Sequence, residues 1–321
     1  MNPSSSLATL RPDLAGSFTE FDLEMANQGF VAHEIFPVIE VGMPSGTFGR
    51  VPIEQLLKTM PTERAPGAGY NRSVWKFEPE SYITQEHGHE SVLDDREVKM
   101  YREFFDAEMV TVQRARRIVM QNAEIRVAAK IQNSGTHNTV GIGDEWDDSD
   151  VAIPIDDVNG AIDRLWAKGI IANALIITRK QFRALRVCDQ IAEKIAAFGA
   201  GGNIKQSDIT TAVLRAVFDL EHIIVAGSLK NTAGDGLAAS TTGIWSDEYA
   251  AVTRIATSGD IQDPCVGRTF HYGEDGSSIG GTVETYREEN VRGDVYRVRH
   301  DVQEKEIFPE AVELLSNAIT I

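Results

Sequence analysis

Apolar residues recur at helical spacing in the middle of the chain, over residues 89–134. This stretch contains no glycine and no proline, and its apolar positions fall on one side of an α-helix. The stripe consists of Phe105, Met109, Val112 and Val119. The pattern predicts one long amphipathic helix, far longer than an average helix of about three turns. Ser91 and Asp94 resemble a capping box at its start.

Glycines and prolines divide the preceding region, residues 41–90, into short segments. Strand-like segments at 47–53, 73–77 and 81–84 flank a Gly/Pro-rich stretch at 62–69. This arrangement predicts a long two-stranded ribbon with a polar tip. Because a two-stranded ribbon is only marginally stable alone, we expect it to lean on another surface, such as another subunit.

Residues 1–40 combine serine, proline and glycine with a few scattered apolar residues. The apolar positions are Phe18, Phe21, Phe30, Ile35 and Phe36. Since these provide too little apolar mass for a separate core, the segment is expected to be an extended arm that docks on something else.

The second half of the chain alternates between helical and strand patterns. Apolar runs predict strands at 174–178 and 222–226, with helices from Asp156 or Asp157 to Gly169, over 179–198, and from a Ser207 cap to Phe218. Further strands are predicted at 249–255, 269–272, 282–287 and 294–302, followed by a short helix or turn through Ala318. These elements together predict an α+β fold.

The charge of the chain argues against a protein that grips nucleic acid. The formal net charge is -17, from 31 basic and 48 acidic residues, whereas nucleic-acid-binding proteins usually carry a basic surface. The single basic cluster, Arg114, Arg116 and Arg117, lies on the predicted long helix. Residues 1–14 lack the apolar core of a signal peptide, and no apolar run approaches membrane-spanning length.

Few residues in the sequence are candidates for metal binding or catalysis. His87 and His89, flanked by Glu86 and Glu90, predict either a metal site or, in preference, a polar hinge before the helix. The acidic residues after the helix lack the ligand spacing of a calcium loop, which favours a solvated loop. They are Asp144, Glu145, Asp147, Asp148 and Asp150.

Two other features of the sequence do not indicate a functional site. Residues 199–202 are glycine-rich without the Lys and Ser/Thr of a phosphate loop. Cys188 and Cys265 lie far apart, which argues against a disulfide or zinc knuckle and fits a reducing cytoplasm. We therefore predict no catalytic, metal-binding or cofactor-binding residue, and expect a protein that is not an enzyme.

Arm, ribbon, long helix, α/β region and β-rich return follow one another in an order that resembles tailed-phage major capsid proteins, the Hong Kong 97 fold family. The more specific similarities lie in the C-terminal half. They are Ala174-Leu175-Ile176-Ile177-Thr178, Thr211-Ala212-Val213-Leu214 leading into Ile223-Ile224-Val225-Ala226-Gly227, Gly243-Ile244-Trp245, and Val295-Tyr296-Arg297-Val298-Arg299.

The resemblance implies a division of the chain into the parts of that fold. Residues 1–40 correspond to the N-terminal arm and 41–90 to the E-loop ribbon. Residues 91–153 and 285–321 correspond to the peripheral P-domain, with its spine helix at 91–133. Residues 154–284 correspond to the axial A-domain.

The implied function is a structural subunit that forms hexamers and pentamers of an icosahedral head around double-stranded DNA, assembled in the host bacterial cytoplasm. Implied partners are a separate scaffolding protein, a portal, decoration proteins and weakly contacted DNA. One alternative is an encapsulin-type nanocompartment shell of the same fold. Another is a metal-dependent α/β enzyme that uses His87 and His89 or the acidic cluster.

Overall fold

The computed structural model describes residues 9–10, 29–74, 76–101, 106–197, 205–234, 236–274 and 276–320. The predicted arm anchors Phe18 and Phe21, the stripe residue Phe105 and the glycines at 199–202 lie outside these ranges.

Helices and strands alternate along the described residues. The helices are α1 (Ala32–Ile35), α2 (Ile53–Leu56), α3 (Asp95–Tyr101), α4 (Ala107–Ile131), α5 (Pro154–Ala167), α6 (Arg179–Leu185), α7 (Asp189–Ala197) and α8 (Thr211–Phe218). The strands are β1 (Thr9–Leu10), β2 (Val38–Val41), β3 (Ser45–Arg50), β4 (Glu78–Ile83), β5 (Gln85–Asp94), β6 (Asn138–Gly141), β7 (Ala174–Thr178), β8 (His222–Ala226), β9 (Leu229–Asn231), β10 (Thr241–Gly243), β11 (Ala250–Thr253), β12 (Gly267–Tyr272), β13 (Thr282–Glu288), β14 (Gly293–Glu306) and β15 (Val312–Ser316).

A five-stranded mixed sheet with the order β6-β15-β11-β7-β8 forms the centre of the α/β region. Every residue of β7 is buried, as expected for a short apolar strand that is covered on both faces. Apolar residues of the surrounding helices, such as Leu165 and Leu214, join the same core cluster. The strands predicted at 174–178 and 222–226 are thereby confirmed.

A six-stranded sheet is organised around the long strand β14. Its path is β1-β13-β14-β12-β2, and β5 also pairs with β14. Burial alternates along much of β14, so that one side, including Val298 and Val302, faces the interior. Helix α4 packs against β14 and β5, and its residues Val112 and Val119 join Val298 in a second core cluster.

The predicted single helix over 89–134 is wrong in its first six residues, and the rest of the range contains two helices, α3 and α4. Residues up to Asp94 belong to β5, which is paired antiparallel with β14 over ten positions from Gln85↔Val302 to Asp94↔Gly293. The pairing decides the conformation, because a sheet partner outweighs the weak intrinsic preferences of these residues. Ser91 is therefore a strand residue. Asp106 caps α4 by accepting from the backbone N–H of Glu108 and Met109.

Several boundaries also differ from the sequence predictions. Helix α5 begins at Pro154 without a side-chain cap, so neither Asp156 nor Asp157 caps it. Thr210, not Ser207, caps α8. The helix predicted over 179–198 is divided into α6 and α7 by a turn.

Strand assignments differ at both ends of the chain. The segment predicted as a helix or turn through Ala318 contains strand β15 after a 3₁₀ turn. Residues 32–41 form α1 and β2 within the subunit, where Ile35 and Phe36 are fully buried. The expectation that residues 1–40 place their apolar side chains on another surface is therefore wrong for this part of the segment.

Candidate assembly surface

The two-stranded ribbon β3/β4 is fastened to the six-stranded sheet at its root. Its strands pair from Ser45↔Ile83 to Arg50↔Glu78, which confirms a ribbon but moves its second strand away from 73–77. The Tyr82 ring stacks on Phe270 with 4.8 Å between ring centroids. Lys305 Nζ lies 2.7 Å from a carboxylate oxygen of Glu80. The root is thus held by both packing and charge.

The tip of the ribbon, by contrast, exposes large apolar side chains to solvent. Tyr70 is 72% exposed, Val74 90% and Phe77 63%, and Leu57 and Met60 are also exposed. Soluble monomers rarely expose a group of large apolar side chains, and such a group commonly marks an interaction site.

The same tip is basic within an otherwise acidic chain, so the expectation that the arginines of α4 are the single basic cluster is wrong. Between residues 57 and 77 the charged side chains are Lys58, Glu63, Arg64, Arg72 and Lys76. Four are basic and one is acidic, whereas the whole chain has a net charge of -17. A basic, partly apolar surface is complementary to the acidic surface that most of this chain presents.

The buried carboxylate of Glu124 links helix α4 to the start of α1. Glu124 is fully buried and accepts hydrogen bonds from the backbone N–H groups of Val31 (3.1 Å) and Ala32 (2.8 Å) and from Trp245 Nε1 (2.6 Å). Burial raises the pKa of Glu124, although these donors oppose the shift. The bonds fix the start of α1 against the long helix.

Glycine permits the close approach of two loops at this junction. Gly29 has φ +83°, and an added Cβ would lie 2.5 Å from the backbone nitrogen of Gly227. Gly227 N–H donates to the Gly29 carbonyl oxygen at 3.0 Å. Any side chain at Gly29 would force these two segments apart.

Histidines and one ion pair form a second polar cluster between α4 and β14. Arg126 pairs with both carboxylate oxygens of Glu304, at 2.7 and 2.8 Å. His300 is fully buried, and its Nδ1 lies 3.2 Å from the carbonyl oxygen of Ile279. The ring of His87 lies edge-on to it, with 6.0 Å between centroids. Burial lowers the pKa of His300 to about 4.

His87 and His89 lie in the middle of β5, so a polar hinge at this position is wrong. Among the described residues, no group of three histidine, cysteine or acidic side chains is arranged to hold a metal ion. In the acidic loop, Glu145 and Asp147 accept hydrogen bonds from Thr320. That loop therefore contacts the C-terminal segment.

The basic cluster on α4 is divided by its burial. Arg116 is buried, and its Nε donates to the Gly280 carbonyl oxygen at 2.6 Å, while Arg114 and Arg117 are exposed. Cys188 and Cys265 are both free and buried, and burial raises the pKa of the Cys265 thiol to about 11. No helix in the described part of the chain is both long enough and apolar enough to cross a membrane.

Comparison with known proteins identifies the fold. No family model and no curated protein matches the sequence. A solved phage-related protein from Bordetella bronchiseptica matches at TM-score 0.67 and 20% identity, with 98% of each chain covered. The capsid of the cyanophage P-SCSP1u matches at TM-score 0.58 and 9% identity, over 88% of this chain and 86% of that one.

The chain has the Hong Kong 97-type capsid fold. An encapsulin complex from Synechococcus elongatus is also similar, at TM-score 0.50 and 12% identity, over 90% of this chain and 87% of that chain. At these identities the likeness concerns the fold.

Proposed function

We propose that this protein is a major capsid protein, which self-assembles as hexamers and pentamers into the icosahedral head of a tailed bacteriophage around its double-stranded DNA. The observation that carries the proposal is the ribbon, whose root is fastened to the subunit while its tip exposes basic and apolar side chains. Such a tip gains little from its own subunit, and tiled shells require large interfaces for each chain.

Under this proposal, each region of the chain corresponds to one part of the capsid fold. Residues 1–40 act as the N-terminal arm and 41–90 as the E-loop. Residues 91–153 with 285–321 act as the P-domain, and 154–284 as the A-domain. Strand β5 spans the boundary between ribbon and P-domain, and its pairing with β14 ties the two together.

Partners and place of action belong to the same proposal. The subunit acts in the virion after assembly in the host cytoplasm, with a separate scaffolding protein, a portal, decoration proteins and loosely held DNA. Its function is structural and requires no catalytic group. An encapsulin-type shell is the second candidate, because an encapsulin complex shares the fold.

The test is electron microscopy of the purified chain under assembly conditions. We expect closed shells built of hexamers and pentamers. Compact monomers would contradict the proposal, and stoichiometric metal in such monomers would favour the enzyme alternative. Genes for terminase and portal beside the coding gene distinguish a phage head from a nanocompartment, which would instead adjoin a cargo enzyme.

A further inference from the structure

A carboxylate, an imidazole and a hydroxyl lie in line at the edge of the six-stranded sheet. The parallel register of β2 and β12 places Glu40 opposite His271. Both carboxylate oxygens lie 2.7 to 2.8 Å from Nδ1 of the ring. The loop after β12 brings Ser277 to the other side of the ring, with its Oγ 3.3 Å from Nε2. In this order an acid orients a base, and the base faces a hydroxyl.

The hydrogen bonds favour the arrangement that a nucleophilic serine requires. Because a carboxylate only accepts, Glu40 holds the proton of His271 on Nδ1 and leaves the Nε2 lone pair directed at Ser277. The Ser277 hydroxyl donates to the Tyr272 carbonyl oxygen at 2.7 Å. Since Oγ is within reach of both acceptors, rotation about the Cβ–Oγ bond is enough to turn its proton toward Nε2.

A shallow, open cleft lies over these groups, of which His271 and Ser277 are buried and Glu40 is exposed. It has a volume of about 740 Å³, and Glu40, His271 and Ser277 all line it. A volume of this size suits a small ligand. Glu274 lies in the same lining, so two carboxylates disfavour an anionic substrate. Ile279 adds an apolar contact for a short acyl group.

We propose that Ser277, His271 and Glu40 form a reactive-serine site that is acylated by small uncharged esters. Ser277 Oγ attacks the ester carbonyl carbon while its proton passes to His271 Nε2. The bond from that carbon to the leaving alcohol then breaks, and the departing oxygen takes the proton from Nε2. The products are an acylated Ser277 and a free alcohol, and the imidazole is neutral again. This chemistry is independent of shell building.

The test treats the purified full chain with p-nitrophenyl acetate and locates the acetyl group by peptide mass spectrometry. We expect a burst of p-nitrophenol and acetylation of Ser277. Ser277→Ala abolishes this product, whereas Ser134→Ala, which changes an exposed serine outside the cleft, leaves the rate at Ser277 unchanged. Acetylated lysines appear in every variant and serve as an internal control.

Further variants separate a relay from an ordinary serine. His271→Asn slows acetylation of Ser277 by about 100-fold, the usual contribution of a general base. Glu40 acts as a positioning residue, so Glu40→Gln slows the reaction by about tenfold, whereas Glu40→Asp, which keeps the carboxylate, restores part of the rate. Because the Glu40 side chain is 67% exposed, both Glu40 variants are expected to fold even where His271→Asn does not. The proposal is wrong if Ser277 reacts no faster than the exposed Ser134, or if Glu40→Gln leaves the rate at Ser277 unchanged.

Discussion

Among single residues, His300 links the stability of the subunit to pH. It lies in the interior beside the Arg126–Glu304 pair, with His87 opposite on β5. Its Nε2 has no hydrogen-bond partner among the described residues, and burial lowers its pKa to about 4 from 6.5. A proton therefore binds the unfolded chain more readily than the folded one between these values. The folded state loses stability as pH falls through this window.

We predict that the unassembled subunit loses about 3 kcal/mol through this residue between pH 7 and pH 4. His300→Gln keeps an N–H that can donate to the Ile279 carbonyl oxygen but does not titrate, so its loss over the same range is smaller by about that amount. Chemical denaturation of both proteins at the two pH values measures the difference. Equal losses in the two proteins would assign the acid sensitivity to other groups.

The reactive-serine arrangement was not predictable from the sequence at this scale. Glu40 and His271 are separated by 231 positions, and only the pairing of β2 with β12 brings them together. Neither residue belongs to a local motif, and the Gly-x-Ser-x-Gly match in this chain, Gly276-Ser277-Ser278-Ile279-Gly280, centres on Ser278 and not on Ser277. By contrast, the free state of both cysteines accords with their spacing alone.

Among elements, the ribbon is expected to contribute to assembly and not to the folding of the subunit. We predict that deleting residues 61–70 changes the free energy of unfolding by less than about 1 kcal/mol, because these residues are exposed. Shell formation is lost, because the deletion removes Tyr70 and Arg64 from the tip. Circular dichroism and a melting curve measure the fold, and electron microscopy measures assembly.

A replacement of the same residues by a Gly/Ser linker of equal length is the matched control. It keeps the reach of the ribbon and removes the side chains, so we expect it to abolish assembly as the deletion does. Normal shells from the linker variant would mean that the chemistry of the tip is unimportant. Loss of the cooperative melt in either variant would show that the tip supports the subunit core.

The sequence predicted an element correctly where the residues of that segment alone favour one secondary structure. Residues 174–178 form an apolar run between polar neighbours, and 282–287 are rich in the strand-forming residues Thr, Val and Tyr, so both strands were predictable. Residues 89–94 were not, because they are free of glycine and proline and are compatible with a helix. Only their partner β14, some 200 positions later, makes them a strand.

For the molecule as a whole, the negative net charge disfavours binding to nucleic acid. We predict that unassembled subunits bind duplex DNA more weakly than about 10 µM at physiological salt, because affinity scales with the phosphates that Lys and Arg neutralise. The net charge is -17, and Arg116 is buried and engaged with Gly280. A binding titration at two salt concentrations measures this. Submicromolar affinity with a steep salt dependence would indicate a genuine DNA-binding protein.

Strand β14 gives the subunit a mechanical property that follows from its length. Its 14 residues span about 46 Å at the usual rise of a strand. Near one end, Lys305 and Glu304 engage the ribbon root and α4, and toward the other end the strand pairs with β13 and β5. If the strand tilts as a rigid body, a rotation of a few degrees at the ribbon end displaces the opposite end of β14 by several ångströms. A change in curvature between neighbouring subunits would thus be transmitted across the whole subunit without unfolding any element.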